Sequence, residues 1–150
     1  MNNNEPSILS QTEGERFSVG PFAILSRVSG TQSSDAFEMY ELGLGVATVD
    51  YHIHRRMDET IYVLEGEIEF IVEGQEYLRQ AGSVAFIPRG VHHGFSNPGP
   101  ANARVLLVFS PNGNQHEYFR AMESLLATSD EPEIKALQKR YDQELIPLGT

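Results

Sequence analysis

The sequence predicts an all-β domain followed by two C-terminal α-helices. Three observations carry this reading. Between Phe17 and Phe109 short apolar stretches are cut again and again by Gly, Pro, Asn or Asp. Several of those stretches alternate with period two, and after Phe109 the apolar period changes to that of a helix. A chain of 150 residues, 40% of them apolar, has the length and material for one core that needs no covalent staples.

Residues 1–14 are polar, with three consecutive asparagines, and are expected to form a flexible arm that orders against a neighbour. Residues 15–113 make up the expected barrel. Its clearest strand places Ile68, Phe70 and Val72 on one face and Glu67, Glu69, Ile71 and Glu73 on the other, so one side is core and the other mostly wet. Turn signals separate the strands at Glu65-Gly66, Glu73-Gly74, Ala81-Gly82, Arg89-Gly90 and Asn97-Pro98-Gly99-Pro100. Residues 114–150 form a helical extension. Asn114 with Glu117 resembles a capping box, and Tyr118, Phe119, Met122, Leu125 and Leu126 share one stripe, which predicts a helix over 115–127. Asp130 and Pro132 open a second helix, whose apolar residues Ile134, Leu137, Tyr141 and Leu145 recur at helical spacing until Pro147 closes it.

Composition excludes several function classes. With no cysteine, disulfide scaffolds, zinc fingers, iron–sulfur clusters and thiol catalysis are all ruled out, so any metal must sit on histidine, carboxylate or neutral oxygen. Eleven basic against 21 acidic residues give a net charge of −10 with no basic run to offset it, which disfavours nucleic acid and anionic membranes as partners. The first residues show neither a basic segment nor an apolar core of a secretory signal. The longest apolar run, Val105 to Phe109, is far short of the ~18 residues a membrane span needs. A cytoplasmic protein is expected.

Four of the five histidines fall in two clusters, His52-Ile53-His54 and His92-His93. Residues i and i+2 of a strand project from one face about 6.6–7 Å apart, so imidazoles at 52 and 54 can converge on one ion. Glu59 has the wrong parity for an unbroken strand, but the charged segment Arg55-Arg56-Met57-Asp58 reads as a turn that resets it. An isolated His-x-His pair is ordinarily a solvated surface feature, and it is the surrounding spacing that argues otherwise. His52-x-His54 is followed after four residues by Glu59 and after six more by Gly66. Further on, Gly82, five residues, Pro88-x-Gly90, two residues, His93, three residues and Asn97 follow one another.

These two runs resemble the paired motifs of the cupin superfamily, and the resemblance covers residues 17–113. One departure stands out: six residues rather than the usual five separate Gly45 from His52, which alters the entry to that strand but no ligand. The resemblance implies a jelly-roll barrel, or double-stranded β-helix, with His52, His54, Glu59 and His93 as ligands to one divalent ion. His92, of opposite parity to His93, is expected at the rim, and His116, near a helix start, in solvent. Asn97 is expected to start a loop and bond backbone. Thr48 and Asp50 share parity with His52 and are candidates to line the cavity. Tyr118 and Phe119 are expected to pack against the barrel or a second subunit rather than line a pocket.

Three imidazoles and one carboxylate leave open positions on a five- or six-coordinate ion, the mark of a catalytic or ligand-binding metal. Fe, Mn, Ni, Co, Cu and Zn all suit these donors, and occupancy is expected to fall as pH drops through the histidine range. The segments Asp58 to Gly66, Pro88 to His93 and Ser110 to Gly113 are similar to those of small single-domain cupins that match one half of quercetin 2,3-dioxygenase. That similarity implies a metal-dependent oxidoreductase of the dioxygenase type on a small hydroxylated or aromatic molecule, with Glu59 doubling as general base. The scaffold also hosts isomerases and non-catalytic binding modules, which stand as alternatives. Open sheet edges and the N-terminal arm lead to the expectation of a homodimer.

Overall fold

A computed structural model describes residues 5–128 and 130–149; the first four residues of the expected arm lie outside this set. The alternating segments become β1 (Arg16–Val19), β2 (Phe22–Val28), β3 (Glu38–Leu44), β4 (Ala47–Ile53), β5 (Asp58–Glu65), β6 (Glu67–Val72), β7 (Gln75–Gln80), β8 (Val84–Ile87), β9 (His93–Asn97) and β10 (Ala103–Ser110). They are followed by α1 (Gln115–Leu125), α2 (Glu131–Arg140) and a short β11 (Glu144–Leu145). The strands form two antiparallel sheets, ordered β1-β2-β3-β10-β5-β8 and β11-β4-β9-β6-β7. No helix among the described residues is long and apolar enough to cross a membrane.

Period-two patterning does what it predicts. β3 and β10 alternate buried with half-buried or exposed positions, and Tyr40, Leu42, Val105, Leu107 and Phe109 meet Ile61, Val63, Ile68, Phe70 and Phe95 in one core. Each such side chain contributes about 1.5–3 kcal/mol on burial, which holds the two sheets face to face and leaves the ends of the barrel for chemistry. Residues ahead of β1 lie along the same chain: Arg27 donates to the carbonyls of Ser10 and Glu13, and Arg16 to that of Thr12.

The helical extension departs from expectation in two places. Asn114 is no side-chain cap; it adopts a left-handed conformation (φ 53°) and makes no capping bond. The fully buried Glu38 of β3 takes over, its Oε2 accepting from Gly113 N–H (2.9 Å) and its Oε1 from His116 N–H (3.3 Å) and Tyr40 O–H (2.6 Å). The capping box fails because its geometry needs an extended cap residue, which the turn out of β10 does not deliver. Asp130 does cap α2, accepting from Glu133 N–H, with Pro132 in the first turn. That helix ends at Arg140 rather than running to Pro147, since Asp142 takes φ 67° and the edge of β4 offers free backbone groups that Glu144 and Leu145 pair with as β11.

Candidate metal centre

The four expected ligands come from both sheets and meet at one point inside the barrel. His52 lies in β4 and pairs across to His93, the first residue of β9; His54 follows β4, and Glu59 is the second residue of β5. All four are buried, at 4%, 2%, 3% and 1% exposure in the order His52, His54, Glu59, His93. The turn between His54 and Glu59 carries Arg55 to Asp58, and Asp58 accepts a fork of bonds from Arg89, tying the start of β5 to the loop that leads into β9. In that loop Gly90, at φ 85°, donates its N–H to the carbonyl of His54 (2.7 Å), a backbone state that strongly favours glycine.

The spacing departure ahead of His52 has a structural counterpart. The register of β4 on β9 runs Ala47 to Asn97, Thr48 to Ser96 and Val49 to Phe95, then His52 to His93, so β4 carries one extra residue between Val49 and His52. This bulge re-aims His52 and sets aside the parity argument for Thr48 and Asp50: it is Val49 that pairs on the register of His93's face. Both Thr48 and Asp50 still line the cavity described below, at its exposed edge. Gly94 makes room for the bulge, since a Cβ there would lie 2.9 Å from the Val49 carbonyl oxygen.

The donor chemistry of the cluster is unusual for a protein interior. Nδ1 of His52, His54 and His93 lies 2.6, 2.7 and 2.9 Å from the carbonyl oxygens of Asp50, Asp142 and Val91, contacts that only an N–H can make favourably. In the neutral rings each Nε2 is therefore a bare lone pair. Those of His52 and His54 face each other at 3.1 Å, and those of His54 and His93 face Glu59 Oε1 at 3.0 and 2.9 Å. All four ligand atoms lie within 4.8 Å of one another. Acceptors so close repel unless a cation sits among them, so the donor set fits a divalent ion, with the three Nδ1 bonds fixing the tautomers.

A proton on Nε2 competes with a cation for the same place, and the electrostatics of the cluster reflect that competition. Burial first, then repulsion from its neighbours, pushes His52 down to about 3, so that ring stays neutral. Burial also opposes charge on His54, but the hydrogen bond and charge of Glu59 outweigh it and hold His54 above the ordinary histidine value. For Glu59 burial works upward, yet the hydrogen bonds and charges of His54 and His93 prevail and keep it well below the usual carboxylate range.

His52, His54 and Glu59 open onto a cavity of about 440 Å³ between the barrel and the C-terminal helices. Its apolar wall includes Leu42, Leu107 and Phe109, and Lys135, Gln138 and Leu145 stand at its outer side. Tyr118 and Phe119 both pack into the core and line this cavity, which revises the expectation that they only pack. A hollow of about 750 Å³ over the outer face of the second sheet touches none of the four ligands. His92 stays outside the cluster, edge-on to Tyr51. His116 is not simply solvated: it is half-buried against Phe17, with its Nε2 3.0 Å from both Glu15 Oε1 and Arg120 Nη2. Asn97 bonds backbone as expected, donating to the carbonyls of Leu44 and Ala101 and accepting from Gly99. Sequence reasoning missed Glu38, Asp142 and Gln115, each of which has partners 26 or more residues away.

The family model described as "Cupin domain" matches residues 39–109, a span that holds all four cluster residues and strands of both sheets. Residues 39–109 of the chain are a cupin domain. Quercetin 2,3-dioxygenase of Bacillus subtilis is 33% identical to this cupin over 91 residues, which is 60% of this chain and 27% of the enzyme. The chain spans between 27% and 59% of the length of the first curated relatives it matches. Among solved structures, KdgF from Halomonas sp. superposes with a TM-score of 0.67 at 20% identity, over 75% of this chain and 99% of that one. The polyketide cyclase RemF from Streptomyces resistomycificus gives 0.63 at 23% identity, over 71% and 80%. At these identities the structures establish the shared fold.

Proposed function

We propose that this cupin is a metal-dependent oxidoreductase of the dioxygenase type, acting on a small hydroxylated or aromatic molecule inside the barrel. The observation that carries the reading is a cluster of bare imidazole nitrogens and one carboxylate opening onto a largely apolar cavity. His52, His54, His93 and Glu59 would hold the ion. A bound divalent ion supplies Lewis acidity and open coordination positions.

The residues themselves do the rest. Leu107 and Phe109 offer an apolar wall for an aromatic body beside the cluster. Glu59 is held ionised; its Oε1 meets the two imidazoles, while Oε2 takes no hydrogen bond from the described residues and is the oxygen available to accept a substrate hydroxyl proton. The similarity to quercetin 2,3-dioxygenase supports this chemistry.

The test is oxygen uptake by protein loaded with Fe, Mn, Ni, Co or Cu, against a panel of flavonols, catechols and 1,3-diketones. Uptake matched to substrate loss, absent in a His52→Ala, His54→Ala variant that no longer retains metal, is the expected outcome. Turnover without oxygen would replace the reading by a metal-dependent isomerase or cyclase. Tight binding without turnover would make the protein a non-catalytic binding module.

A further inference from the structure

The three imidazoles are not held in the same way. Nδ1–H of His52 donates to Asp50 and that of His93 to Val91, each two residues back in its own segment, so those rings are positioned by the motif that contains them. His54 donates instead to the carbonyl of Asp142, 88 residues further along the chain and outside the span that defines the family. The Asp142 side chain grips the same spot from the other side. Its Oδ1 accepts from Arg55 N–H (2.7 Å) and its Oδ2 from Arg56 N–H (2.8 Å), the two amides that follow His54.

We propose that Asp142 is a positioning residue of the metal centre: it fixes the tautomer and direction of His54, and so couples docking of the C-terminal segment to metal binding. This rests on the metal reading above. Asp142 is buried and sits at φ 67°, a conformation aspartate tolerates and bulky or branched residues do not. Both its neighbours are braced by the fully buried Gln115, whose Nε2 donates to the Tyr141 carbonyl (2.8 Å) and whose Oε1 accepts from Gln143 (2.7 Å). β11 follows at once, with Leu145 opposite His52. The residue type is selective. Glycine would keep the backbone angle and lose both grips; asparagine has one acceptor oxygen and would turn its own N–H₂ toward the second amide.

Because binding free energies are reciprocal, whatever factor the docked segment adds to metal affinity, the metal must add to docking of the segment. Two measurements on the full-length protein test this, with Co(II) as the probe. Competition with a chromophoric chelator should show Asp142→Gly and Asp142→Asn binding Co(II) roughly 10–100-fold more weakly than the wild type, with a shifted visible Co(II) spectrum. Glu144→Gln, which breaks only the exposed pair with Arg55 on the same segment, should stay within about twofold on both readouts. In the wild type, hydrogen exchange at Gln143 and Ile146, whose amides bond Gln138 and Tyr51, should slow on adding Co(II) by a factor matching the affinity loss. The exchange experiment keeps its force even where a variant fails to fold. Equal Co(II) affinity in wild type and Asp142 variants, or exchange indifferent to Co(II), overturns the proposal and leaves the metal site standing. A wild type that binds no Co(II) overturns the metal reading and this one with it.

Discussion

Gly94→Ala tests whether the bulge in β4 aims His52. Gly94 lies in β9 between His93 and Phe95, and it needs no left-handed backbone, so an added methyl acts by size alone. That methyl would lie 2.9 Å from the Val49 carbonyl oxygen and 3.3 Å from the Tyr51 Cα and N. These are backbone atoms with no rotamer to escape into, so β4 must move by several tenths of an ångström. Overpacking of this kind costs about 1–3 kcal/mol, which for a chain of this size lowers the melting temperature by roughly 3–10 °C. The part of β4 that moves ends in His52, so metal affinity should fall by about tenfold or more, equivalent to about 1.4 kcal/mol. Gly43→Ala is the control. Its methyl would meet only Ala23, at 3.7 Å or beyond, and the substitution should be neutral or stabilise by up to about 1 kcal/mol. Thermal unfolding with and without metal, together with a chelator titration, reads both quantities. A Gly94→Ala protein that melts and binds metal like the wild type refutes the assignment of the bulge as the device that aims His52.

Three further outcomes are expected. Metal affinity should be level at high pH and fall by about tenfold or more per unit once pH drops below the raised value of His54, because that ring must shed a proton to bind the ion while His52 is already neutral and Glu59 already ionised; chelator competition between pH 5 and 9 giving a flat line would contradict this. Glu38→Gln keeps the volume but places an N–H₂ against the amides of Gly113 and His116 or the hydroxyl of Tyr40, and should destabilise by about 2–3 kcal/mol, seen as a melting temperature roughly 5–10 °C lower. An unchanged melting curve would remove Glu38 as the cap of α1. From the open edges at β7 and β8 a homodimer is expected, and sedimentation as a monomer at micromolar concentration would dispose of it.

What the sequence made legible divides along physical lines. His52, His54, Glu59 and His93 could be picked out because their spacing resembles the paired cupin motifs; strand geometry and the charged turn explain how His52, His54 and Glu59 converge, whereas nothing local ties His93 to them. The core of β3, β6 and β10 was legible for a similar reason, since alternation is a property of the strand itself. Glu38 and Asp142 were not. Each acts on groups 75 or more residues away, and nothing local distinguishes a buried carboxylate from one in solvent. Leu145 shows a different failure: one apolar residue satisfies either a helical stripe or a strand, and the free edge of β4 decides between them. The bulge left a visible trace, the extra residue between Gly45 and His52, but spacing alone does not say where the surplus goes. Its position became definite only against β9, where Gly94 leaves the space.

The span that matches the cupin domain and the span that closes the outer side of the cavity are different stretches of sequence. Residues 39–109 hold every cluster residue, so likeness to a dioxygenase within that span bears on the ligand set and the access of substrate to it. The side of the cavity away from the barrel is built later in the chain, by the apolar residues Tyr118, Phe119 and Met122 of α1, Lys135 and Gln138 of α2, and Gln143 and Leu145 beyond it. A molecule whose oxygen approaches the imidazoles would turn its far end toward these groups, and Lys135 is one of only two lysines in the chain, both of them on α2. Under the proposed function, selection among small molecules rests in part on the C-terminal extension, and so, through the Asp142 carbonyl, does the orientation of His54. One segment, docked against β4, thus both supports His54 and supplies part of the outer side of the cavity, so a change that loosens it is felt at both.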